Sequence, residues 1–396
     1  MSEVTSDPVV IVGMARTPMG AMQGALSALS APQLGAVAIK GALEDAGIAP
    51  AEVDEVLMGC VLPAGVGQAP ARQAALGAGI PQGTPTSTVN KVCGSGMKTV
   101  MMARDALLVG DAKVVVAGGM ESMSNAPYLL PNARSGMRLG HGKALDHMFT
   151  DGLENAYDGQ LMGTFAECTA DKYSFTREEQ DAFALESLAR ASSAIDSGSF
   201  EREIAPVTVA SRRGDVTVSV DEGPGNARPD KIPQLKPAFR KDGTVTAANA
   251  SSISDGAAAL VLMRESEAKA RGLKALAVLK GQTQFAQEPE WFTTAPVGAM
   301  QKLLEKTGWN TDEVDLFEIN EAFAVVTMSA MKELGLPRDK VNVNGGACAL
   351  GHPLGASGAR ILVTLLGALE KRGLKKGIAS LCIGGGEATA VAIERV

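Results

Sequence analysis

Val89-Asn90-Lys91-Val92-Cys93-Gly94-Ser95-Gly96-Met97 sets a thiol between a β-branched, apolar stretch and a helical run. The residues before Cys93 favour a strand, the two glycines allow a tight turn, and residues 97–108 have strongly helix-forming composition. The stretch reads as strand, turn, helix, with the sulfur near the helix N-terminus. Free amide N–H groups and the positive end of the helix dipole favour thiolate there and offer donors to a developing oxyanion. A free thiol with pKa about 8.5 is only a few per cent ionised at neutral pH, so such a position predicts raised reactivity. On its own the segment also suits a small buried core cysteine.

The unit occurs twice. Leu43-Glu44-Asp45-Ala46-Gly47, followed by Glu52-Val53-Asp54, matches Leu304-Glu305-Lys306-Thr307-Gly308 and Glu313-Val314-Asp315. Ser95-Gly96 aligns with Ser357-Gly358, and each pair opens a predicted helix, over 97–108 and 359–371. Each helix leads to an apolar strand and a glycine cluster, Val114-Val115-Val116-Ala117-Gly118-Gly119 and Ile378-Ala379-Ser380-Leu381-Cys382-Ile383-Gly384-Gly385-Gly386. Strands this continuously apolar are covered on both faces. The chain therefore predicts an α/β fold of two similar halves, with chemistry at strand ends near their junction. The first half takes residues 1–121 and 248–272, and the second takes 273–396.

Residues 122–247 differ in character and read as an inserted loop domain, a place to hold a ligand. Thr176-Arg177-Glu178-Glu179 is a capping box that starts one clear helix, running to about Ser197. Arg213-Gly214-Asp215 between β-rich runs predicts a hairpin, and residues 223–229, with two glycines and two prolines, predict a loop.

The chain has 396 residues, 45% of them apolar, 20% charged and only 4% aromatic, with a net charge of −7. That balance permits a large core and argues against nucleic acid or anionic membrane as partner. The five cysteines, none in a C-x-x-C pair, argue against a disulfide framework and a structural zinc site, so neither metal nor cofactor is expected. No basic leader with an apolar core and no membrane-length apolar run is visible, and Ile393-Glu394-Arg395-Val396 is not a peroxisomal signal; a cytoplasmic location is expected.

Of three histidines, His352 stands between Gly351 and Pro353, on a loop aligned with the one leading to Cys93, and reads as functional. His141 and His147 read as solvent-facing residues of a glycine-rich loop. Cys382 ends a strand before three glycines and reads equally as functional or as a buried small hydrophobe. Cys60, Cys168 and Cys348 read as structural. Asn320 also suits a turn or cap. Glu321 beside it has no partner carboxylate for glycosidase chemistry. Gly96-Met97-Lys98-Thr99 lacks the order of a phosphate loop, and no G-x-S-x-G occurs.

Together, Asn90-Lys91-Val92-Cys93-Gly94-Ser95-Gly96, Gly118-Gly119-Met120-Glu121-Ser122-Met123-Ser124, Asn320-Glu321-Ala322-Phe323, Gly351-His352-Pro353-Leu354-Gly355 and Cys382-Ile383-Gly384-Gly385-Gly386 closely resemble the thiolase family, in its order and over nearly the whole chain. The resemblance implies a five-layered αβαβα thiolase fold of two halves with a loop domain that binds coenzyme A. It implies that two acetyl-CoA are interconverted with acetoacetyl-CoA and CoA, with coenzyme A as substrate and product only. Cys93 would carry the acyl group, His352 would activate it, and Cys382 would move the proton at the α-carbon. Asn320 would hold a water against the enolate, and the amides of Cys93 and Gly384 would form a second oxyanion hole. Leu153, Met162, Phe239, Ala247, Ser251, Ala322 and Phe323 match coenzyme A contacts by position, and a bulky Phe292 would favour short acyl groups.

The second cysteine sets this pattern apart from decarboxylating ketoacyl synthases, which resemble it with Cys-His-His or Cys-His-Asn. Two departures stand out. Leu161 replaces a His common before Met162-Gly163, and Gly223-Pro224-Gly225 stands where many members carry Tyr or Arg, leaving Arg228 or Lys231 to meet a phosphate. The family also implies a homo-oligomer, a tetramer built as a dimer of dimers. A broader-chain 3-ketoacyl-CoA thiolase and a non-catalytic acyl-CoA or lipid-binding protein are the alternatives.

Overall fold

The computed structural model describes residues 7–212 and 214–396. Arg213 of the expected hairpin, and the first half of the stretch read for a leader, lie outside them.

The first half forms β1 (Val9–Arg16), α1 (Ala31–Ala46), β2 (Glu55–Gly59), α2 (Pro70–Gly77), β3 (Thr86–Val89), α3 (Ser95–Val109) and β4 (Val114–Ser122). After the loop region comes β5 (Ser254–Arg264). The second half forms β6 (Ala277–Ala286), a helix Ala295–Thr307, a strand Leu316–Ile319, a helix Ala324–Leu334, a helix Leu354–Arg372, and strands Lys376–Ile383 and Glu387–Arg395. The first sheet runs β1-β5-β4-β2-β3, with the first two pairings antiparallel and the last two parallel. The second starts at β6 and runs through Glu387–Arg395 and Lys376–Ile383 to Leu316–Ile319, antiparallel twice and then parallel. Phe317 bridges Val341 in parallel at the fifth place. Order and direction repeat, as the sequence repeat requires. The sheets join through Val10↔Val278 and Ile11↔Ala277.

Three apolar cores fix the layers. One lies between the sheets and takes residues of α3 and Leu354–Arg372 with one face of each sheet. A second seals α1 and α2 onto the outer face of the first sheet, and a third seals Ala295–Thr307 and Ala324–Leu334 onto the other. The layers are αβαβα. Helix Leu354–Arg372 is buried at every position from Leu354 to Leu369, as a helix sandwiched between sheets must be. It starts five residues before the expected 359, and α3 starts at Ser95, two before the expected 97, because Gly355 and Gly96 continue the helices rather than ending them. The reason is close approach: a Cβ on Gly119 of β4 would sit 1.9 Å from the Gly355 carbonyl oxygen. Glycine on both sides lets the first turn of the helix rest on strand backbone.

The inserted region holds two long helices, not one: α4 (Met162–Tyr173) and α5 (Arg177–Asp196). Met162 to Tyr173 buries Phe165, Ala166 and Ala170 on the second half from one face, but unlike the second helix it has no capping side chain to mark its start. The capping box forms, with Thr176 Oγ1 accepting from Glu179 N–H. Val207–Val209 pairs antiparallel with Val216–Val218. Residues 223–229 are not simply a loop, because Glu222–Asn226 makes one helical turn.

A buried ion cluster joins this region to both halves. Arg16 Nη1 and Nη2 donate to Asp221 at 2.7 and 2.9 Å, and Arg16 Nε donates to Glu203 at 2.5 Å. Thr364 Oγ1 donates to the same Glu203 oxygen at 3.0 Å. All three charged side chains are fully buried. Asp221→Ala leaves a buried guanidinium short of a bidentate partner and is expected to destabilise the fold by about 3–5 kcal/mol, read as a lower denaturant midpoint. An unchanged midpoint would show that the cluster carries no stability.

Candidate active site

Cys93 sits on a strained turn. Val92, a β-branched residue, has φ +45°, a conformation such residues rarely adopt. Gly94 N–H donates to the Lys91 carbonyl and Ser95 N–H to that of Val92, both at 3.0 Å. The Ser95 hydroxyl donates to the Val92 carbonyl and accepts from Lys91 N–H. The residue is 8% exposed, and the backbone N–H groups of Gly384 and of Cys93 itself act on its sulfur. These donors lower its pKa, yet burial outweighs them and, with the charge of Glu121, pushes it up to about 11. The expectation of a thiolate favoured by the helix start is corrected: desolvation exceeds the dipole here.

His352 follows Gly351, whose φ is +102°. Its Nδ1 lies 2.5 Å from Ser357 Oγ, and that hydroxyl donates to the Pro353 carbonyl at 2.9 Å. With its own proton committed, Ser357 accepts from Nδ1–H, which places the lone pair on Nε2. Nε2 is buried and has no partner. Burial, then the nearby charge of Arg360, lowers the His352 pKa to about 3, so the ring is neutral. The Cys93–His352 pair therefore rests as thiol and imidazole. Accordingly, alkylation of Cys93 by iodoacetamide is expected to rise with pH without levelling off below about pH 10, since the thiolate fraction grows until the thiol's own pKa is passed. A plateau near pH 7, followed by peptide mass mapping, would contradict that pairing.

Cys382 is fully buried at the end of its strand, opposite Ala388. Burial first, then an anionic Cys93, drives its pKa far upward, so the two sulfurs lie within electrostatic reach. Asn320 Nδ2 is 3.4 Å from His352 Nδ1, and its Oδ1 is buried without a partner. The segment is held by Asn342, whose side chain exchanges two 2.8 Å hydrogen bonds with the backbone of Ile319. Glu321 accepts from Ser187, Asn342 and the Cys348 amide, a positioning task rather than acid–base work.

Cys93 and His352 meet at a cavity of about 200 Å³. Cys93, His352 and Gly384 line it, together with Leu153, Met162, Phe239, Ser251, Phe292, Ala322 and Phe323. Asn320 and Cys382 lie outside the lining. Phe323 packs edge-on against Phe239 and Phe292 at ring separations of 6.0 and 6.5 Å. Leu161, which stands in place of the family's His, lines the wall too, and Phe149, Ala250, Ile253 and Leu354 do so unanticipated by the sequence. Arg228 and Ala247 are exposed and outside the cavity lining.

Other expectations need correction. His141 is exposed, but His147 is buried, with Nδ1 2.5 Å from Asp151 and Nε2 accepting from Ala64 N–H. Cys60 is buried and Cys348 half-buried, whereas Cys168 is exposed on α4. Glu121 was missed: it accepts from the amides of Val61, Leu62 and Gly355, holding the start of the helix after His352, and burial raises its pKa to about 7. Ser357 was missed as well, though a signal existed. It is the repeat counterpart of Ser95, and the two serines secure the two reactive residues.

Models of the thiolase N-terminal and C-terminal domains match residues 9–266 and 273–395. Acetyl-CoA acetyltransferase of Chromobacterium violaceum is 52% identical, over 98% of this chain and 99% of its own length. Acetyl-CoA acetyltransferase 2 of Arabidopsis thaliana is 54% identical, over 98% and 96%. The crystal structure of Bacillus anthracis acetyl-CoA acetyltransferase superposes with a TM-score of 0.96 at 44% identity, over 98% of this chain and 99% of that one. The Acat5 thiolase from Ascaris suum in complex with coenzyme A gives 0.93 at 43% identity, over 98% and 100%. The repeated halves, the five layers and these matches over both domains lead to one conclusion: the chain belongs to the thiolase family.

Proposed function

We propose that this chain interconverts two acetyl-CoA with acetoacetyl-CoA and CoA, through an acetyl group carried on Cys93. The observation that supports it most is the meeting of the Cys93 sulfur, the unpartnered His352 Nε2 and the Gly384 amide in one apolar cavity, with a second sulfur beside them. Nε2 takes the thiol proton as Cys93 attacks the thioester carbonyl. The amides of Cys93 and Gly384 receive the oxyanion, and CoA leaves with the proton. For the second acetyl-CoA, a proton shifts from Cys382 to His352. The Cys382 thiolate removes the α-proton, while imidazolium and an Asn320-held water stabilise the enolate oxygen. The enolate carbon attacks acetyl-Cys93, whose thiolate leaves and recovers the proton from His352.

The same reading makes Leu153, Met162, Phe239 and Ser251 contacts of the pantetheine arm, and Arg228, with no ion-pair partner among the described residues, a phosphate contact. Phe292, 2% exposed on the wall, favours short acyl groups. Brief exposure to acetyl-CoA and peptide mass spectrometry should find the acetyl group on Cys93. Thiolysis across acyl chains of increasing length should peak at acetoacetyl-CoA. A maximum at long chains would favour the broader 3-ketoacyl-CoA thiolase. A homotetramer in the cytoplasm is part of this proposal; among the described residues no helix is long and apolar enough to cross a membrane.

A further inference from the structure

The two amides that face the Cys93 sulfur belong to different halves of the chain. One lies on the Cys93 turn, the other on the turn Gly384-Gly385-Gly386. A hole of two donors works only if their separation is held to a few tenths of an ångström. The glycine turn cannot supply that alone, since Gly385 and Gly386 have φ of +93° and +92° and no side chain to pack. Gln287 N–H donates to the Gly386 carbonyl at 2.8 Å, but Gln287 belongs to the same half.

Among the described residues, contacts from this turn and the strands flanking it cross to the Cys93 turn, and two of them bear on its position. A Cβ on Gly94 would meet Ile383 Cδ1 at 2.4 Å, so the two turns touch there. The other contact is polar. Lys91 Nζ pairs with Glu387, 296 residues away in sequence. Lys91 stands two residues before Cys93. Its carbonyl accepts from Gly94 N–H and its amide donates to Ser95, so its backbone is part of the turn. Glu387 pairs with Ile383 across the two strands and closes the glycine turn. The Lys91 side chain is 18% exposed and that of Glu387 39%, so the pair is shielded from solvent screening on the lysine side only.

We propose that Lys91 and Glu387 are positioning residues, a clamp that fixes the Cys93 amide against the Gly384 amide and so sets the rate of acyl transfer to Cys93. The inference rests on the reading of those amides as oxyanion donors. Neither charged group touches the cavity, and the thiol's ionisation is governed by burial, the two amides and Glu121 rather than by this pair. The clamp therefore acts on the oxyanion and not on the nucleophilicity of the sulfur.

The test compares wild type, Lys91→Met, Glu387→Gln and the double variant in three measurements. These are single-turnover acetylation of Cys93 by acetyl-CoA, alkylation of Cys93 by iodoacetamide, and thermal melting. Alkylation builds no oxyanion and serves as the control for a merely disturbed turn. Each single variant should acetylate roughly 5–20-fold more slowly, with alkylation within about twofold and an unchanged melting temperature. The double variant should be no slower than the slower single, as expected of one shared interaction. Single variants that acetylate at the wild-type rate overturn the clamp, as do losses that multiply in the double variant or alkylation that falls in step with acetylation. A wild-type protein that takes up no acetyl group overturns the reading of the site and the clamp with it.

Discussion

Cys93→Ser is expected to lower thiolysis of acetoacetyl-CoA by at least about 10⁴-fold while leaving coenzyme A affinity within roughly threefold. Serine fits the turn, because the hydroxyl is smaller than the thiol and Val92, Gly94 and Ser95 keep their backbone hydrogen bonds. What is lost is acidity. Even the thiol is held at about 11 by burial, and the base facing it has a pKa of about 3. An alcohol starts several units higher still, so Nε2 cannot deprotonate it in this cavity. The wall formed by Phe239, Phe323 and Met162 is untouched, so binding persists. Loss of acetoacetyl-CoA absorbance gives the rate and calorimetry the affinity. Retained turnover would remove Cys93 from the nucleophile's role.

The second large effect separates the half-reactions. Cys382→Ser is expected to keep acetylation of Cys93 within about tenfold and to cut condensation by about 10³-fold. Acetylation uses Cys93, His352 and the two amides, none of which depends on the buried Cys382 sulfur. Condensation needs a base for a carbon-bound proton, and in the same buried place an alcohol is a far weaker acid than a thiol. Transfer of acetyl from acetyl-CoA onto the protein, followed by mass, reports the first half, and acetoacetyl-CoA formation reports the second. Equal loss in both, or normal condensation, would mean that Cys382 does something else.

The residues that make these predictions possible differ in how visible they were. Cys93, His352, Asn320, Cys382 and Gly384 stand in short, glycine-rich segments whose spacing carries a family pattern. Glu121 and Glu321 lie within two of those segments without any sign of what they hold, and Asn342 and Arg360 lie outside them altogether. Each is buried, and each acts through a partner more than twenty residues away. The helix 162–173 went unread because Leu161 before it offers no capping side chain, although Phe165, Ala166 and Ala170 share one face. His147 looked solvent-facing because its neighbours are polar and glycine-rich, yet Asp151 and the Ala64 amide draw it in.

Sequence by itself determined the α/β class, the repeat of two similar halves and the apolar strands, and marked candidate reactive side chains, because these depend on local periodicity, turn chemistry and a repeat about 261 residues apart. Tertiary structure alone decided the protonation state of the site. Two sulfurs and an imidazole from three distant segments are each desolvated, and there burial outweighs the helix-end donors beside Cys93 and keeps all three neutral at rest. Desolvation is a property of everything that surrounds a group, so no local stretch of residues can encode it.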